Sequence, residues 1–199
     1  MRGICKAARR QTKQSTSIKE FQSYKLTIYG KKELKTFTSF ETNGKGYAFP
    51  ASQMLAGLYM NELILKLLPI HDPHDTLFQL YEQSLQNLME KNQTEQYLRL
   101  FERHLLSILG YEMNFNLDNI NQPICPHSHY SLSEDWRFLR VPVGIPGHCL
   151  LQMANKNYSE ATTLHYAKIL ARQIFARLIE GGMKSYAIAE KMMFSIPSA

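Results

Sequence analysis

The sequence has little of what would staple a small chain together. Cysteine occurs three times in 199 residues, as Cys5, Cys125 and Cys149, without C-x-x-C spacing. That excludes a disulfide framework and points to free thiols in a reducing compartment. With 10 Gly and 8 Pro the chain is neither collagen-like nor low-complexity. No apolar run approaches the ~18 residues that span a bilayer. Met1-Arg2-Gly3-Ile4-Cys5-Lys6 has no long apolar region behind its charges, so neither a signal peptide nor a membrane partner is expected. Catalytic signatures are missing too: no G-x-S-x-G, P-loop, H-E-x-x-H or G-x-G-x-x-G occurs. Gly144-Ile145-Pro146-Gly147 lacks the Lys and Ser/Thr of a phosphate loop. No catalysis, cofactor or small-molecule substrate is expected, and the expected place is the cytoplasm.

What is present is enough apolar character, 44%, to bury a core in one large domain or two small ones. Net charge is +6, and its sign is uneven. Residues 1–47 hold 11 Lys and Arg against 3 Asp and Glu, whereas the remainder holds 12 against 14. A basic arm or small basic domain beside a near-neutral body implies a nucleic-acid partner, or simply a solvated basic surface.

The pattern along the chain is strands first, helices after. Tyr24, Leu26 and Ile28 alternate with Lys25, Thr27 and Tyr29, which predicts a strand with one apolar face. Gly30-Lys31-Lys32 turns the chain, and Leu34 to Glu41 predicts the second strand of a hairpin. Thr42 to Gly46 breaks the pattern and sets a domain boundary. Apolar residues cover most of 51–68, predicting a central buried helix that Pro69 ends. Ile70 to Asp75 is a loop, with Asp75 or Thr76 capping a helix through Leu88. A third helix covers about 93–109 with Gly110 after it. Residues 111–159 lack periodicity and read as an irregular insertion, with a strand within Trp136 to Val143. Further helices cover about 160–180 and 185–194. The fold class is α+β, with domains at 1–45 and 46–199.

Three clusters could carry chemistry. Cys125, His127, His129, His148 and Cys149 are zinc-ligating types, but C-x-H-x-H crowds three ligands and has no C-x-x-C turn. His71-Asp72-Pro73-His74-Asp75 is a metal or acid/base candidate, or only a turn between helices. Arg2, Lys6, Arg9, Arg10, Lys13, Lys25, Lys31, Lys32 and Lys35 stand near Phe21, Tyr24, Tyr29, Phe37 and Phe40. Cations beside stackable rings on strands suit single-stranded nucleic acid. The plain alternative is core rings with lysines on an edge strand. On the helices, Glu95 and Arg99 form an i,i+4 pair with Arg103 one turn on, either a solvent-facing stripe or a seat for an acidic peptide.

Several motifs together resemble one family. Tyr59-Met60-Asn61-Glu62-Leu63, Leu67-Leu68, Leu77-Phe78 and Tyr81 resemble the first helices of the RecO recombination-mediator body. Leu100-Phe101-Glu102, Leu105-Leu106 and Leu109-Gly110-Tyr111 are similar to that family's FE..LL...GY helix end. Leu34-Lys35-Thr36 matches its G-x-L/V-K-T strand, Ala7-Ala8-Arg9-Arg10 with Ser15 its basic loop, and Lys184-Ser185 its C-terminal signature. The resemblance implies a partial N-terminal OB-like β-barrel followed by a mostly helical bundle. It implies a DNA repair protein of the RecF pathway that is not an enzyme. Such a protein binds single- and double-stranded DNA, anneals complementary strands and is associated with the nucleoid. It also implies binding of the acidic C-terminal tail of single-strand DNA-binding protein, and help for RecR in loading RecA. The tail groove should lie near the third helix, with Arg99 and Arg103 as its carboxylate ligands.

Two departures bear on these expectations. No cysteine lies in Leu117 to Ile124, so the chain resembles the zinc-free branch of the family. The family pattern starts before the Arg9-Arg10 loop, so about 30 residues, one or two barrel strands, fall outside this chain and a closed barrel becomes an open sheet. The alternative is therefore an interaction-only helical module, whose incomplete OB fold does not bind DNA. A third possibility is a metal-dependent enzyme built on His127, His129, His148 and Cys149.

Overall fold

The computed structural model describes residues 2–5, 18–30, 34–44, 46–69, 74–90 and 93–185. Its N-terminal part is a three-stranded sheet of β1 (Arg2–Cys5), β2 (Tyr24–Tyr29) and β3 (Leu34–Thr42), in the order β1-β3-β2. The expected hairpin is there: β2 runs antiparallel to β3, with a register shift between Thr27 and Ile28. β1 joins the other edge of β3 in parallel. The apolar face of β2 is not sealed, since Leu26 and Ile28 are exposed. Alternation aims side chains to one face, but only a packed partner removes them from water.

Among the described residues five helices follow: α1 (Ala51–Leu67), α2 (Asp75–Asn87), α3 (Thr94–Ile108), α4 (Gly147–Ala154) and α5 (Ala161–Leu178). α1 does carry core residues, with Met60 and Leu63 fully buried. It is not buried all round, because Leu65 is 81% exposed. α3 packs against α1, α2 and α5. Phe101 and Leu105 of α3 meet Leu170, Ile174 and Phe175 of α5 in one core. His74 is the N-cap of α2 and Asp75 already lies in its first turn, so neither Asp75 nor Thr76 caps. The carboxylate near the positive helix end still suits the backbone dipole. Gly110 ends α3 at φ 83, which a Cβ would oppose.

One ring fastens sheet to body. Phe21 packs edge-on to Phe49 with centroids 5.2 Å apart. It also lies over Gly57 of α1, where a Cβ would come within 2.7 Å of the ring. Phe21 holds φ 56, strained for a non-glycine residue, and Tyr47 N–H donates to its carbonyl at 3.0 Å.

The stretch 111–159 is more ordered than expected. The strand expected within Trp136 to Val143 is there as β5 (Phe138–Val141), and it is joined by β4 (His129–Leu132), β6 (Ile145–Pro146) and α4, which were not expected. The three strands form an antiparallel sheet in the order β5-β4-β6. Tyr130, Phe138 and Leu150 are buried in it, and Cys125 N–H donates to Tyr130 Oη at 2.9 Å. A side chain at Gly147 would collide with Cys125 O. Strands of two to four residues are too short to show periodicity, and their pairing is set by contacts distant in sequence. The expected last helix runs past residue 185 and lies outside the described residues.

Candidate functional site

Helical spacing puts Arg99, Glu102, Arg103 and Leu106 on one face of α3, turned toward α4 and α5. There they line a cleft of about 110 Å³. Its floor is apolar: Leu106, Met113, Phe115 and Met153 from one side, and Ala167, Leu170, Ala171 and Ile174 of α5 from the other.

The expected Glu95–Arg99 pair does not form. Arg99 is only 8% exposed and its Nη2 donates to Glu102 Oε1 at 2.7 Å, while Glu95 accepts from Lys168 Nζ at 2.9 Å. Tyr59 of α1 donates to the same Glu102 oxygen at 2.6 Å. Burial pushes the Glu102 carboxyl up, and Arg99 and Tyr59 pull against it. Buried charges survive only when paired and hydrogen-bonded. Arg99 Nε has no partner despite its burial. This donor is the cleft's unanswered group, and it calls for an acceptor.

Arg103 is half-buried. Its Nη1 donates to the carbonyls of Met153 and, at 3.4 Å, Ala154, at the C-terminal end of α4, where a cation suits the helix dipole. Its guanidinium lies 4.9 Å from the Phe115 ring centroid. Tyr158 closes the cleft, and burial raises its phenol above the usual value. His104 and Lys156 stand at the rim, with Lys156 Nζ 3.2 Å from His104 Nε2. A cleft with an apolar floor and guanidinium walls suits one apolar side chain joined to a carboxylate.

The basic residues of the N-terminal part are placed less completely. Arg2 lies on β1 opposite Leu34, and Lys35 on β3 opposite Gly3. Lys25 is exposed on β2, opposite Glu41. Lys6, Arg9, Arg10, Lys13, Lys31 and Lys32 lie outside the described residues. Of the nearby rings, Phe21 is core and Tyr29 is 76% exposed. Tyr24 and Phe40 meet edge-on at 5.9 Å and line an apolar cavity of about 370 Å³ between the sheet and α2. Tyr81, on its far wall, donates to Asn61 Oδ1 at 2.5 Å, and burial pushes its phenol up to about 12.

Of the metal candidates, the sequence neighbours His148 and Cys149 meet, Nε2 to Sγ at 3.3 Å, but the set does not form one site. His127, His129 and His148 are exposed and Cys149 is buried. Among the described residues no group of three His, Cys, Asp or Glu can share an ion. His71 and Asp72 lie outside the described residues. Among those described, no helix is long and apolar enough to cross a membrane.

Sequence reasoning singled out Arg99 and Arg103, both of which line this cleft, and assigned none of its other residues to a site. Met113, Phe115, Met153, Lys156 and Tyr158 come from the stretch read as irregular. The Met113–Phe115 alternation just after Gly110 was the one local signal.

Comparison with known proteins agrees with this architecture. Residues 51–180 match the family model for the C-terminal part of recombination protein O. The DNA repair protein RecO of Pseudoalteromonas translucida is 32% identical over 176 residues, covering 87% of this chain and 76% of that protein. RecO of Stutzerimonas stutzeri is 35% identical, covering 91% and 78%. RecO of Nitrosococcus oceani is 32% identical, covering 95% and 80%. The cleft-bearing helices fall within the matched region, and the chain belongs to the RecO family.

Proposed function

We propose that this chain is a DNA repair and recombination mediator. It binds single- and double-stranded DNA through its basic N-terminal part and anneals complementary strands. Its helical body binds the acidic C-terminal tail of single-strand DNA-binding protein. With RecR it assists RecA loading on coated DNA. The observation that carries the tail assignment is the α3–α4–α5 cleft, where a buried guanidinium with an unpartnered Nε stands over an apolar floor. The tail's terminal side chain fills the floor, and its carboxylates meet Arg99 and Arg103. The sheet supports the DNA assignment with Lys25 and Tyr29 exposed on one strand and with the excess of Lys and Arg in residues 1–47. Cations on two approaching strands lower phosphate repulsion, so annealing should weaken steeply with salt.

The test is annealing of two complementary strands, each coated with single-strand DNA-binding protein. Acceleration that fades with salt supports the mediator. Arg9→Ala with Arg10→Ala should weaken DNA binding for all sequences, and unchanged affinity would remove that loop from the interface.

One observation favours the interaction-only reading: the cleft is complete without any residue of β1, β2 or β3. Tail-peptide binding without annealing is the result that reading requires.

A further inference from the structure

The mouth of the cleft holds a contact with no part in the tail assignment so far. Lys156 follows α4 in the left-handed conformation, φ 56, and its N–H donates to Met153 O at 2.9 Å. This turn brings its ammonium to 3.2 Å from His104 Nε2 on α3. An ammonium has donors only, so Nε2 presents its lone pair and the imidazole proton sits on Nδ1. His104 is therefore neutral in this arrangement. Both residues line the cleft beside Arg103.

The surroundings oppose a charge on the imidazole. Burial holds its titration below the usual histidine value, and the Lys156 and Arg103 cations lower it further. Of the other groups facing the cleft, Arg99 and Glu102 of α3 are paired with each other. Glu112, Tyr111 and Tyr158 come from the flanking segments, and the four α5 residues on the floor are uncharged.

We propose that His104 and Lys156 together read the carboxylate of the incoming acidic tail, which parts the two nitrogens, bridges them and leaves a proton on His104. The proposal rests on the tail assignment above. The proton comes from solvent, and Nε2 changes from acceptor to donor. An imidazolium and an ammonium 3.2 Å apart repel, whereas a carboxylate between them makes two charge-assisted bonds. Binding is thereby coupled to proton uptake, and affinity must rise as pH falls through the histidine range.

The experiment uses the full chain and a synthetic acidic peptide that ends in phenylalanine with a free carboxylate. Affinity should be roughly tenfold higher near pH 5.5 than near pH 8, a range in which the peptide's carboxylates stay ionised. Calorimetry at neutral pH, in buffers of different ionisation enthalpy, should show uptake of a substantial fraction of a proton. His104→Gln should still bind but with no uptake and a flat pH profile. Lys156→Asn keeps a residue that tolerates positive φ; it should weaken binding and move the His104 titration upward. The His104 resonance of the unmodified chain should also titrate at higher pH once peptide is added, a readout independent of how the variants fold. Binding without proton uptake, or a His104 titration unmoved by peptide, overturns the proposal and leaves the tail assignment standing. No binding anywhere between about pH 5.5 and 8 overturns both.

Discussion

The N-terminal sheet and the helical body solve the burial problem differently. The body closes a continuous core: Met60, Leu63, Leu88 and Leu105 are fully buried. The sheet leaves Leu26, Ile28 and Tyr29 in water on β2 and borders a cavity of about 370 Å³. The same apolar residue types therefore do different things in the two regions. In the body they supply stability. In the sheet they stay available for a surface, and the stretch of sequence that holds the sheet, residues 1–47, carries 11 Lys and Arg against 3 Asp and Glu. The charge asymmetry of the sequence is the outline of this difference.

Substitutions of equal chemistry in the two regions test that difference. Leu63→Ala should destabilise the chain by about 2–5 kcal/mol in urea unfolding, because a core cavity is left behind. Leu26→Ala, at a partly exposed site, should cost about 1 kcal/mol or less. Equal losses would mean that the sheet is as closed as the body.

The next effect lies where charge is buried. Glu102→Leu removes the partner of Arg99 and the acceptor of Tyr59. Stranding a buried guanidinium costs about 3–5 kcal/mol, seen as a lower midpoint of unfolding. Combining it with Arg99→Leu should recover much of the loss.

A smaller effect belongs to the joint. Gly57→Ala drives a methyl into the Phe21 ring and should cost about 1–3 kcal/mol. Limited proteolysis should then cut the sheet before the helices. If both parts remain equally protected, Phe21 is not what fastens them.

The smallest effect is a pH dependence at the body's far end. Glu62 of α1 accepts Lys184 N–H at 2.7 Å and Ser185 N–H at 2.8 Å. Burial alone would raise its carboxyl, but these backbone bonds and Lys66 hold it below the usual carboxylate value. A lowered carboxyl stabilises the fold above its unfolded value, and the gain is lost as pH falls through the folded one. Protection of the Lys184 and Ser185 amides against hydrogen exchange, taken relative to the intrinsic rate at each pH, should fall under acid in the unmodified chain. Glu62→Gln should show lower protection already at neutral pH, with little further change under acid.

The legible parts of this protein are the long periodic ones. The i, i+3, i+4 pattern of Leu98, Phe101, Leu105 and Leu109 and the glycine stop at 110 placed α3 to within a residue at each end. The strand alternation at Tyr24 to Tyr29 was legible as well. The small sheet within 111–159 was not, because His129–Leu132 needs Phe138–Val141 and Ile145–Pro146 to become a strand at all. For the cleft, Arg99 and Arg103 showed as a basic stripe. Whether that stripe faced water or protein depended on α5, 60 residues further along the chain.

By itself the sequence determined the N-terminal hairpin, the long helices α1, α2, α3 and α5, the uneven charge and, through its motifs, the family. Those are local or compositional properties, written in spacing and side-chain chemistry. Tertiary structure decided that Arg99 turns inward to Glu102 and not back to Glu95. It also brought Lys156 to His104 across 52 residues of chain and folded the middle segment into the cleft's wall. Each outcome compares the cost of desolvating a charge with the partners that distant elements bring, and that balance exists only once the helices have packed.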